Sequence, residues 1–308
     1  MSYKVAVTSR SFSRNPTLRK ILLSKYDQVT FNDKSLNLSG ASLIEFLRGH
    51  DKAITALESI DNDILSSLPQ LKVISKYGVG CDMIDMNALR RHNVRFGWTG
   101  GVNRRSVSEL VIAFAINLLR HVPSANREVR SGVWRQHVGG YLSGKNVGII
   151  GCGFIGQDLA KILRAFDCNI LINDVVNKEA FCQSVGAQSM GLDDLLSESD
   201  VVSLHVPFDE STRNLLSADR LTSLKPGAIL INTARGGIVD EEALKECLKT
   251  KAIAGAAFDV FQIEPPNDSD LLNLDNFIVT PHIGGSALEA ILAMGEAAVQ
   301  GLDINELP

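Results

Sequence analysis

Apolar residues fall into short runs that alternate with segments of helical periodicity. Short continuous runs, such as Val5–Val7, are typical of buried strands, whereas spacings such as Leu18, Ile21 and Leu22 are typical of a helix with one buried face. In the first hundred residues the pattern predicts strands at 5–8, 28–31, 52–56, 72–76 and 94–96, with helices at 17–25, 39–48, 61–67 and 85–92. Alternating strands and helices predict an α/β fold with doubly wound parallel sheets.

The alternation stops at the glycine-containing loop 97–102 and resumes at Asn146. Between them, a strongly apolar helix is predicted at Ser106–Arg120, with Ser106-x-x-Glu109 as a capping box, and a similar box is predicted at Ser42-x-x-Glu45. After Asn146, further strands are predicted at 147–150, 168–173, 201–204, 228–231, 253–259 and 277–280. A final helix, 287–299, is predicted to return to the first domain. The predicted domains are therefore 1–101 plus 287–308, and 102–286.

A glycine-rich turn opens the second series of strands. Gly151, Gly153 and Gly156 have the G-x-G-x-x-G spacing, between the strand that ends at Ile150 and a predicted helix. In dinucleotide-binding turns, such glycines allow a tight turn, close approach of a pyrophosphate, and close packing of helix on strand. Asp174 ends the next strand, at the distance typical of a carboxylate that binds the ribose hydroxyls. The pattern predicts a dinucleotide site.

Composition narrows the possible partners. The 308 residues carry a net charge of −4 and contain no block of Lys or Arg, so we expect no nucleic-acid partner. The longest apolar stretch, 110–119, is too short to cross a bilayer, and the N-terminal residues lack a signal-peptide pattern. The five cysteines include no C-x-x-C pair, which favours reduced thiols and a cytoplasmic protein.

Three segments that follow predicted strands contain residues suited to catalysis. Arg235 lies in a loop of small residues and has the planar fork that binds a carboxylate in a bidentate manner. Asp259 ends a strand, Glu264 precedes two prolines, and His282 lies between a strand end and two glycines. A histidine near a carboxylate is typical of proton transfer. Because ligands of such sheets bind beyond the carboxyl ends of the strands, these residues are candidates for one site.

These motifs together resemble the NAD-dependent D-isomer-specific 2-hydroxyacid dehydrogenase family. The similar segments are 77–82, 105–111, 151–156, 203–207, 232–237 and 258–285. The resemblance implies that Arg235 binds the substrate carboxylate and the C2 oxygen. It implies that His282 is the general base in oxidation and the acid in reduction, and that Glu264 hydrogen-bonds and orients His282.

The resemblance also implies the binding residues. NAD would be bound by Gly151, Gly153, Phe154, Ile155, Gly156, Asp174, Val206, Pro207, Thr233, Ala234, Asp259, Gly284 and Gly285. Within this set, Asp259 would face the carboxamide of the nicotinamide. The substrate would be bound by Lys76, Tyr77, Gly78, Val79 and Gly80 together with Arg235. No arginine follows Asp174, which favours NAD over NADP, although Lys178 is nearby. No metal is expected.

Within the family, the sequence is most similar to 3-phosphoglycerate dehydrogenases and to hydroxypyruvate or glyoxylate reductases. The expected substrate is 3-phosphoglycerate or a related hydroxy acid, and a glyoxylate or hydroxypyruvate reductase is the alternative. Lys76 stands where a phosphate could be bound, and a solvated lysine at a strand end is an equal alternative. Met83 and Trp98 replace the asparagines that are common at their positions, which weakens the assignment to 3-phosphoglycerate. Two other functions stay open, an NAD-sensing corepressor and a formate or phosphite dehydrogenase. The resemblance also implies a homodimer, with the segment 120–144 as the dimerisation arm.

Overall fold

The computed structural model describes residues 3–308. The chain divides into two compact units, which we call the first unit, Met1–Asn103 with Gly285–Pro308, and the second unit, Arg104–Gly284. These boundaries lie two residues from those predicted. No helix among residues 3–308 is both long and apolar enough to span a bilayer.

The first unit contains a five-stranded parallel sheet in the order β2-β1-β3-β4-β5. Its strands are β1 (Lys4–Val7), β2 (Gln28–Phe31), β3 (Lys52–Thr55), β4 (Val73–Lys76) and β5 (Arg95–Gly97). Its helices are α1 (Arg10–Arg14), α2 (Pro16–Leu23), α3 (Gly40–Leu47), α4 (Asn62–Ser66), α5 (Met86–Arg91) and α14 (Leu288–Gly301). The sheet separates two apolar clusters, since alternate side chains of a strand such as Val5 and Ala6 belong to different clusters. The predicted doubly wound fold is confirmed for this unit.

The C-terminal helix α14 completes the core of the first unit. Its residues Ala298 and Val299 are buried in the same cluster as Val5 and Val7 of β1. A Cβ on Gly301 would come within 3.1 Å of the Gly97 backbone, so the close approach of α14 to β5 needs glycine at that position. The returning helix was predicted at 287–299, and the structure extends it to Gly301.

The second unit contains a seven-stranded parallel sheet in the order β12-β11-β10-β9-β6-β7-β8. Its strands are β6 (Asn146–Ile150), β7 (Asn169–Asn173), β8 (Gln188–Ser189), β9 (Val201–Leu204), β10 (Ile229–Asn232), β11 (Gly255–Phe258) and β12 (Phe277–Val279). Its helices are α6 (Arg104–Leu119), α7 (Val122–Arg130), α8 (Phe154–Leu163), α9 (Glu179–Val185), α10 (Leu192–Glu198), α11 (Ala218–Thr222), α12 (Glu241–Lys249) and α13 (Ser269–Leu272). The chain order of the strands reverses beside β6, whose neighbours are β7 and β9.

Both predicted capping boxes are wrong. Helix α3 begins at Gly40, and the N–H of its cap Ser39 donates to the Ser42 hydroxyl at 3.0 Å. Helix α6 begins at Arg104, two residues before Ser106, whose hydroxyl donates to the Gly284 carbonyl at 2.6 Å instead of capping. The helix extends upstream because Arg105 forms a bidentate pair with Asp158 of α8, at 2.9 and 3.0 Å.

The segment 120–144 contains a helix that its sequence pattern did not predict. Helix α7 has no buried residue, and its apolar residues Val122, Ala125 and Val129 form only a narrow stripe in an otherwise polar segment. The residues after it have no regular structure up to β6. Several large apolar side chains of this segment are exposed, including Trp134 at 84%, Val138 at 93% and Tyr141 at 80%.

Candidate active site

The predicted site residues of the second unit follow the carboxyl ends of neighbouring strands. Gly151 follows β6, Asp174 follows β7, Asp259 follows β11, and Arg235 and His282 lie three residues beyond β10 and β12. Carboxyl ends of parallel strands meet at one edge of a sheet, and ligands of open α/β sheets bind beyond that edge, at the point where the strand order reverses. That point lies between β6 and β9, beside the glycine turn.

The three glycines of the turn meet three different demands. Gly151 has a φ of 95°, and a Cβ there would lie 2.5 Å from the His205 carbonyl oxygen. A Cβ on Gly156 would lie 2.2 Å from the Gly151 carbonyl oxygen, so the turn packs directly on α8. A Cβ on Gly153 would meet nothing within 4 Å, which leaves room for a ligand.

The start of α8 also fits a pyrophosphate. Gly153 is the N-cap residue and supplies no side chain for capping, so the first N–H groups of the helix, including those of Phe154 and Ile155, have no capping partner. Such N–H groups and the positive end of the helix dipole bind phosphate oxygens. The turn therefore has the open space and the donors that a dinucleotide needs.

Asp174 is held in place by the turn itself. Its Oδ2 accepts a hydrogen bond from the Cys152 N–H at 2.6 Å, and its Oδ1 accepts one from the Val176 N–H at 2.8 Å. The carboxylate is therefore tied to the glycine turn, beside the bound dinucleotide that the turn would accommodate. Burial raises the pKa of the neighbouring Cys152 thiol to about 11, so this cysteine is a packing residue and not a nucleophile.

The loop that carries Arg235 is shaped by a residue that the sequence patterns missed. Asn232, 1% exposed, accepts from the Ala234 N–H at 3.0 Å and donates to the Arg235 carbonyl oxygen at 2.9 Å. This Asx turn reverses the chain directly after β10. The Arg235 guanidinium donates to the Ala234 carbonyl oxygen at 2.7 Å. An Asn before a small-residue loop is the signal that could have identified Asn232.

Glu264 and His282 form a hydrogen-bonded pair. His282 Nδ1 lies 3.0 Å from Glu264 Oε2, and the two side chains are 51% and 40% exposed. Glu264 Oε1 accepts from the Phe261 N–H at 3.1 Å, which orients the carboxylate. With Nδ1 facing a carboxylate, the other ring nitrogen, Nε2, is the one available for proton exchange.

Asp259 anchors the loop that carries His282. Its carboxylate is 1% exposed and accepts from Thr280 Oγ1 at 2.5 Å and from the N–H groups of Ile283 and Gly284 at 2.7 Å each. The Asp259 carbonyl oxygen also accepts from the His282 N–H at 2.9 Å. These bonds hold His282 at a φ of 55°, which is uncommon for a residue other than glycine. The expected contact of Asp259 with the nicotinamide carboxamide stays a prediction.

A second histidine near the turn, His205, is unsuited to proton transfer. His205 follows β9, and burial lowers its pKa to about 3, so the ring is neutral at physiological pH. Its Nε2 lies 2.8 Å from the Ser203 hydroxyl. His205 is therefore a neutral packing residue beside Gly151, and His282 is the candidate for proton transfer.

The other predicted cofactor residues lie in the same loops. Thr233 and Ala234 are each 8% exposed, and the Thr233 hydroxyl has no hydrogen-bond partner among the described residues. Val206 contacts the Gly151 position, because its Cγ1 would lie 2.9 Å from a Cβ there. The Pro207 carbonyl oxygen accepts from the Thr212 hydroxyl at 2.8 Å. In the first unit, a Cβ on Gly285 would lie 3.3 Å from Asn103 Nδ2.

The predicted substrate loop follows β4 in the first unit. The Tyr77 side chain is buried against Phe12, with ring centroids 5.4 Å apart, so the loop presents its backbone. Gly78 has a φ of 115°, which favours glycine, and Lys76 Nζ would lie 3.4 Å from a Cβ there. The Trp98 indole N–H donates to the Val79 carbonyl oxygen at 3.1 Å and supports the loop.

Lys76 is not the solvated lysine that was one of its two interpretations. The side chain is 5% exposed, and its ammonium donates to the carbonyl oxygens of Ala56 and Tyr77. Burial of an ammonium requires such partners. The alternative interpretation, a contact with a substrate phosphate, stays a prediction.

Comparisons with known proteins show which family the chain is similar to. The family model described as D-isomer specific 2-hydroxyacid dehydrogenase, NAD binding domain, matches residues 112–284. A glyoxylate reductase of Thermococcus litoralis is 36% identical over 84% of this chain and 82% of its own length. A D-3-phosphoglycerate dehydrogenase of Archaeoglobus fulgidus is also 36% identical, over 83% of this chain, but the chain spans only half of that relative.

Solved structures give the same result. A Polaromonas sp. JS6 66 protein described as an NAD-binding D-isomer specific 2-hydroxyacid dehydrogenase superposes with a TM-score of 0.90. The two sequences are 30% identical, and the match covers 98% of this chain and 96% of that one. The similarity therefore extends over both units.

Proposed function

This chain belongs to the D-isomer specific 2-hydroxyacid dehydrogenase family of NAD-dependent enzymes, and we propose that its own substrate is a small, unphosphorylated 2-hydroxy acid or 2-oxo acid. The observation that supports acid–base chemistry at C2 is the Glu264–His282 pair, 3.0 Å apart, at the edge of the sheet that bears the glycine turn, and the choice of an unphosphorylated acid rests on Lys76. When bound, NAD accepts or donates the hydride. The residues of the chain have to bind the acid and move one proton.

His282 is the proposed proton donor and acceptor. In reduction, Nε2 would give its proton to the C2 oxygen, and in oxidation it would take the proton back. Glu264 would keep Nδ1 protonated and the ring in one orientation, because its carboxylate can only accept a hydrogen bond. A half-exposed ring with one nitrogen engaged supports this role.

Arg235 is the proposed ligand of the carboxylate and of the C2 oxygen. Its planar guanidinium suits bidentate binding of the acid and stabilises the negative charge that develops on the oxygen. The backbone of 77–80, in the first unit, is the other proposed substrate-binding segment. The left-handed Gly78 supports this role, because it turns the backbone so that successive N–H groups can converge.

Glyoxylate and hydroxypyruvate are the proposed substrates. The Lys76 ammonium already donates to two backbone carbonyl oxygens, and a substrate phosphate would have to compete with them. The second candidate is 3-phosphohydroxypyruvate, since the Lys76 charge lies close to the Gly78 position.

A substrate screen tests the proposal. Oxidation of NADH would be followed by absorbance with glyoxylate, hydroxypyruvate, pyruvate and 3-phosphohydroxypyruvate. We expect the highest kcat/KM with glyoxylate or hydroxypyruvate. A preference for the phosphorylated acid would select the second candidate, and NADH binding without turnover of any acid would contradict the proposal and favour an NAD-sensing role.

We further propose a cytoplasmic homodimer that associates through the segment 120–144. Exposed Trp134, Val138 and Tyr141 in this segment support an interface, because large apolar side chains are rarely so exposed together. All five cysteines are free thiols, which supports a reducing compartment. Light scattering of the wild type and of Trp134→Ser would test the dimer, and a monomeric wild type would contradict it.

A further inference from the structure

The loop that carries Glu264 is fastened by a carboxylate outside the proposed catalytic set. Glu241, the first residue of α12, accepts a hydrogen bond through Oε1 from the Gln262 N–H at 2.9 Å. Its own helix is already capped, because Asp240 accepts from the Ala243 N–H at 3.1 Å. The Glu241 carboxylate therefore serves the loop and not the helix.

The residue before Gln262 is fixed by packing. The Phe261 side chain is buried against Phe258 and Phe277, with ring centroids 6.1 and 6.2 Å away. Its backbone lies against Gly236, where a Cβ would come within 2.0 Å of the Phe261 carbonyl group. The loop then turns outward, since Ile263 is 62% exposed. Glu241 thus accepts a hydrogen bond from the N–H of Gln262, the residue at which the loop leaves the core.

The orientation of Glu264 depends on this part of the loop. Glu264 Oε1 accepts from the Phe261 N–H at 3.1 Å, while Oε2 lies 3.0 Å from His282 Nδ1. Glu264 is therefore tied to the peptide group before Phe261, and the next peptide group, between Phe261 and Gln262, is tied to Glu241 through the Gln262 N–H. A shift of this peptide would move the carboxylate that meets the histidine ring.

The surroundings of Glu241 are unfavourable for a carboxylate. Burial raises the pKa of Glu241, and the negative charges of Asp268 and Glu242 raise it further, while the Gln262 N–H lowers it. Lys245 is bound by the other two carboxylates, at 2.8 Å from Asp268 and 2.7 Å from Glu242. The hydrogen bond from the Gln262 N–H partly offsets the cost of placing a half-buried carboxylate beside two others.

We infer that Glu241 is a positioning residue, which holds the Phe261–Glu264 loop so that Glu264 Oε2 stays within hydrogen-bond distance of His282 Nδ1. The inference rests on the proposed function, in which Glu264 orients His282. Glu241 touches neither substrate nor cofactor in this scheme, and acts only through the loop.

Steady-state kinetics of three variants test the inference. In Glu241→Ala the Gln262 N–H loses its acceptor, and we expect kcat to fall about fivefold, because only part of the lost hydrogen-bond energy reaches the His282 ring, with KM for the 2-oxo acid within about twofold. Glu241→Gln keeps a carbonyl acceptor and should restore kcat to within about twofold of the wild type. Glu242→Ala, at the neighbouring exposed position, is the control and should leave kcat unchanged.

A second readout does not depend on turnover. The Nδ1–H resonance of His282 in the ¹⁵N-labelled protein, assigned with His282→Gln, reports the hydrogen bond to Glu264. We expect Glu241→Ala to shift it toward its position in Glu264→Gln, while Glu241→Gln and Glu242→Ala leave it in place. An unchanged resonance in Glu241→Ala would overturn the inference, even if thermal stability fell. Absence of turnover by the wild type would contradict the proposed function alone, because the resonance would still test Glu241.

Discussion

The cluster around Lys52 in the first unit and the Glu264–His282 pair in the second both join charged side chains from different elements, but they differ in how many polar atoms are engaged. Lys52, 6% exposed, donates to Tyr26 Oη at 3.0 Å, to the Leu302 carbonyl oxygen at 2.7 Å and to Asp303 Oδ1 at 3.1 Å. The ammonium has three N–H donors, and the three acceptor atoms engage all of them. This cluster fastens the end of α14 to the sheet.

The hydrogen bonding of the proposed catalytic pair, Glu264 and His282, is incomplete by comparison. His282 is half exposed, and its Nε2 has no hydrogen-bond partner among residues 3–308. The saturated carboxylate of the second unit is Asp259, which lies beneath the loop and bonds only to it. The comparison teaches that buried, saturated charges hold the chain in place, whereas a site needs a polar atom that the protein leaves for its substrate.

Removal of the His282 ring, whose hydrogen bonding is incomplete, should have the largest effect on activity. We expect His282→Ala to lower kcat by about 10² or more, the usual contribution of a general acid–base group. The melting temperature should stay close to that of the wild type, because the ring is half exposed. Steady-state kinetics and a thermal melt check the two parts. A kcat equal to the wild-type value would exclude His282 from proton transfer.

Removal of the Lys52 ammonium, whose three donors are all engaged, should affect stability and not activity. Lys52→Met removes three hydrogen bonds of a charged donor, and we expect the free energy of unfolding in urea to fall by about 2 kcal/mol. Lys72→Met is the matched control, since Lys72 is exposed and lies 3.7 Å from Asp51, a geometry of little energetic value. Equal stability of the two variants would contradict the comparison.

Asp174 both holds the chain in place and stays accessible to a ligand, since its carboxylate bonds to the turn and remains partly exposed. We expect Asp174→Ala to weaken NADH binding about tenfold, the scale of a hydrogen bond to a charged group, and to improve the relative use of NADPH. Fluorescence titration with both cofactors measures this. Equal losses for NADH and NADPH would show that Asp174 does not discriminate at the ribose.

The smallest expected effect is the pH dependence of the Lys52 cluster. Burial raises the pKa of Asp303, but the hydrogen bonds from Tyr26 and Lys52 outweigh burial, and the pKa lies below its usual value of 3.8. A lowered pKa in the folded state stabilises the protein above the unfolded value, and this contribution is lost as the pH falls through the folded value. The stability advantage of the wild type over Asp303→Asn should therefore be constant near neutral pH and shrink below about pH 4. A constant advantage down to pH 2.5 would contradict it.

The sequence alone determined the fold class and the residues after the strands. The apolar runs and helical spacings report burial on one or both faces, so β6, β10 and β11 were predictable from local pattern. The glycine spacing predicted a tight turn, and in the structure a Cβ would clash with backbone at Gly151 and Gly156 and would fill open space at Gly153.

Elements without a buried face, and the short helices α1 and α13, escaped prediction. The apolar stripe of α7 is narrow and not buried, and β8 consists of two exposed polar residues, so neither element has a clear apolar run or face. The caps of α3 and α6 were misplaced, because a serine hydroxyl bonds to whichever partner the tertiary structure supplies, as Ser106 does with Gly284.

The partners of each polar atom were decided only by the tertiary structure. The sequence identified Asp259, Glu264 and His282 as residues after strands, but the fold gave the Asp259 carboxylate three hydrogen bonds and gave His282 Nε2 none within residues 3–308. It likewise turned Lys76 inward and brought Glu241 to the Gln262 N–H. The physical reason is that a residue type records which hydrogen bonds are possible, while distance and burial in the folded chain select the ones that form.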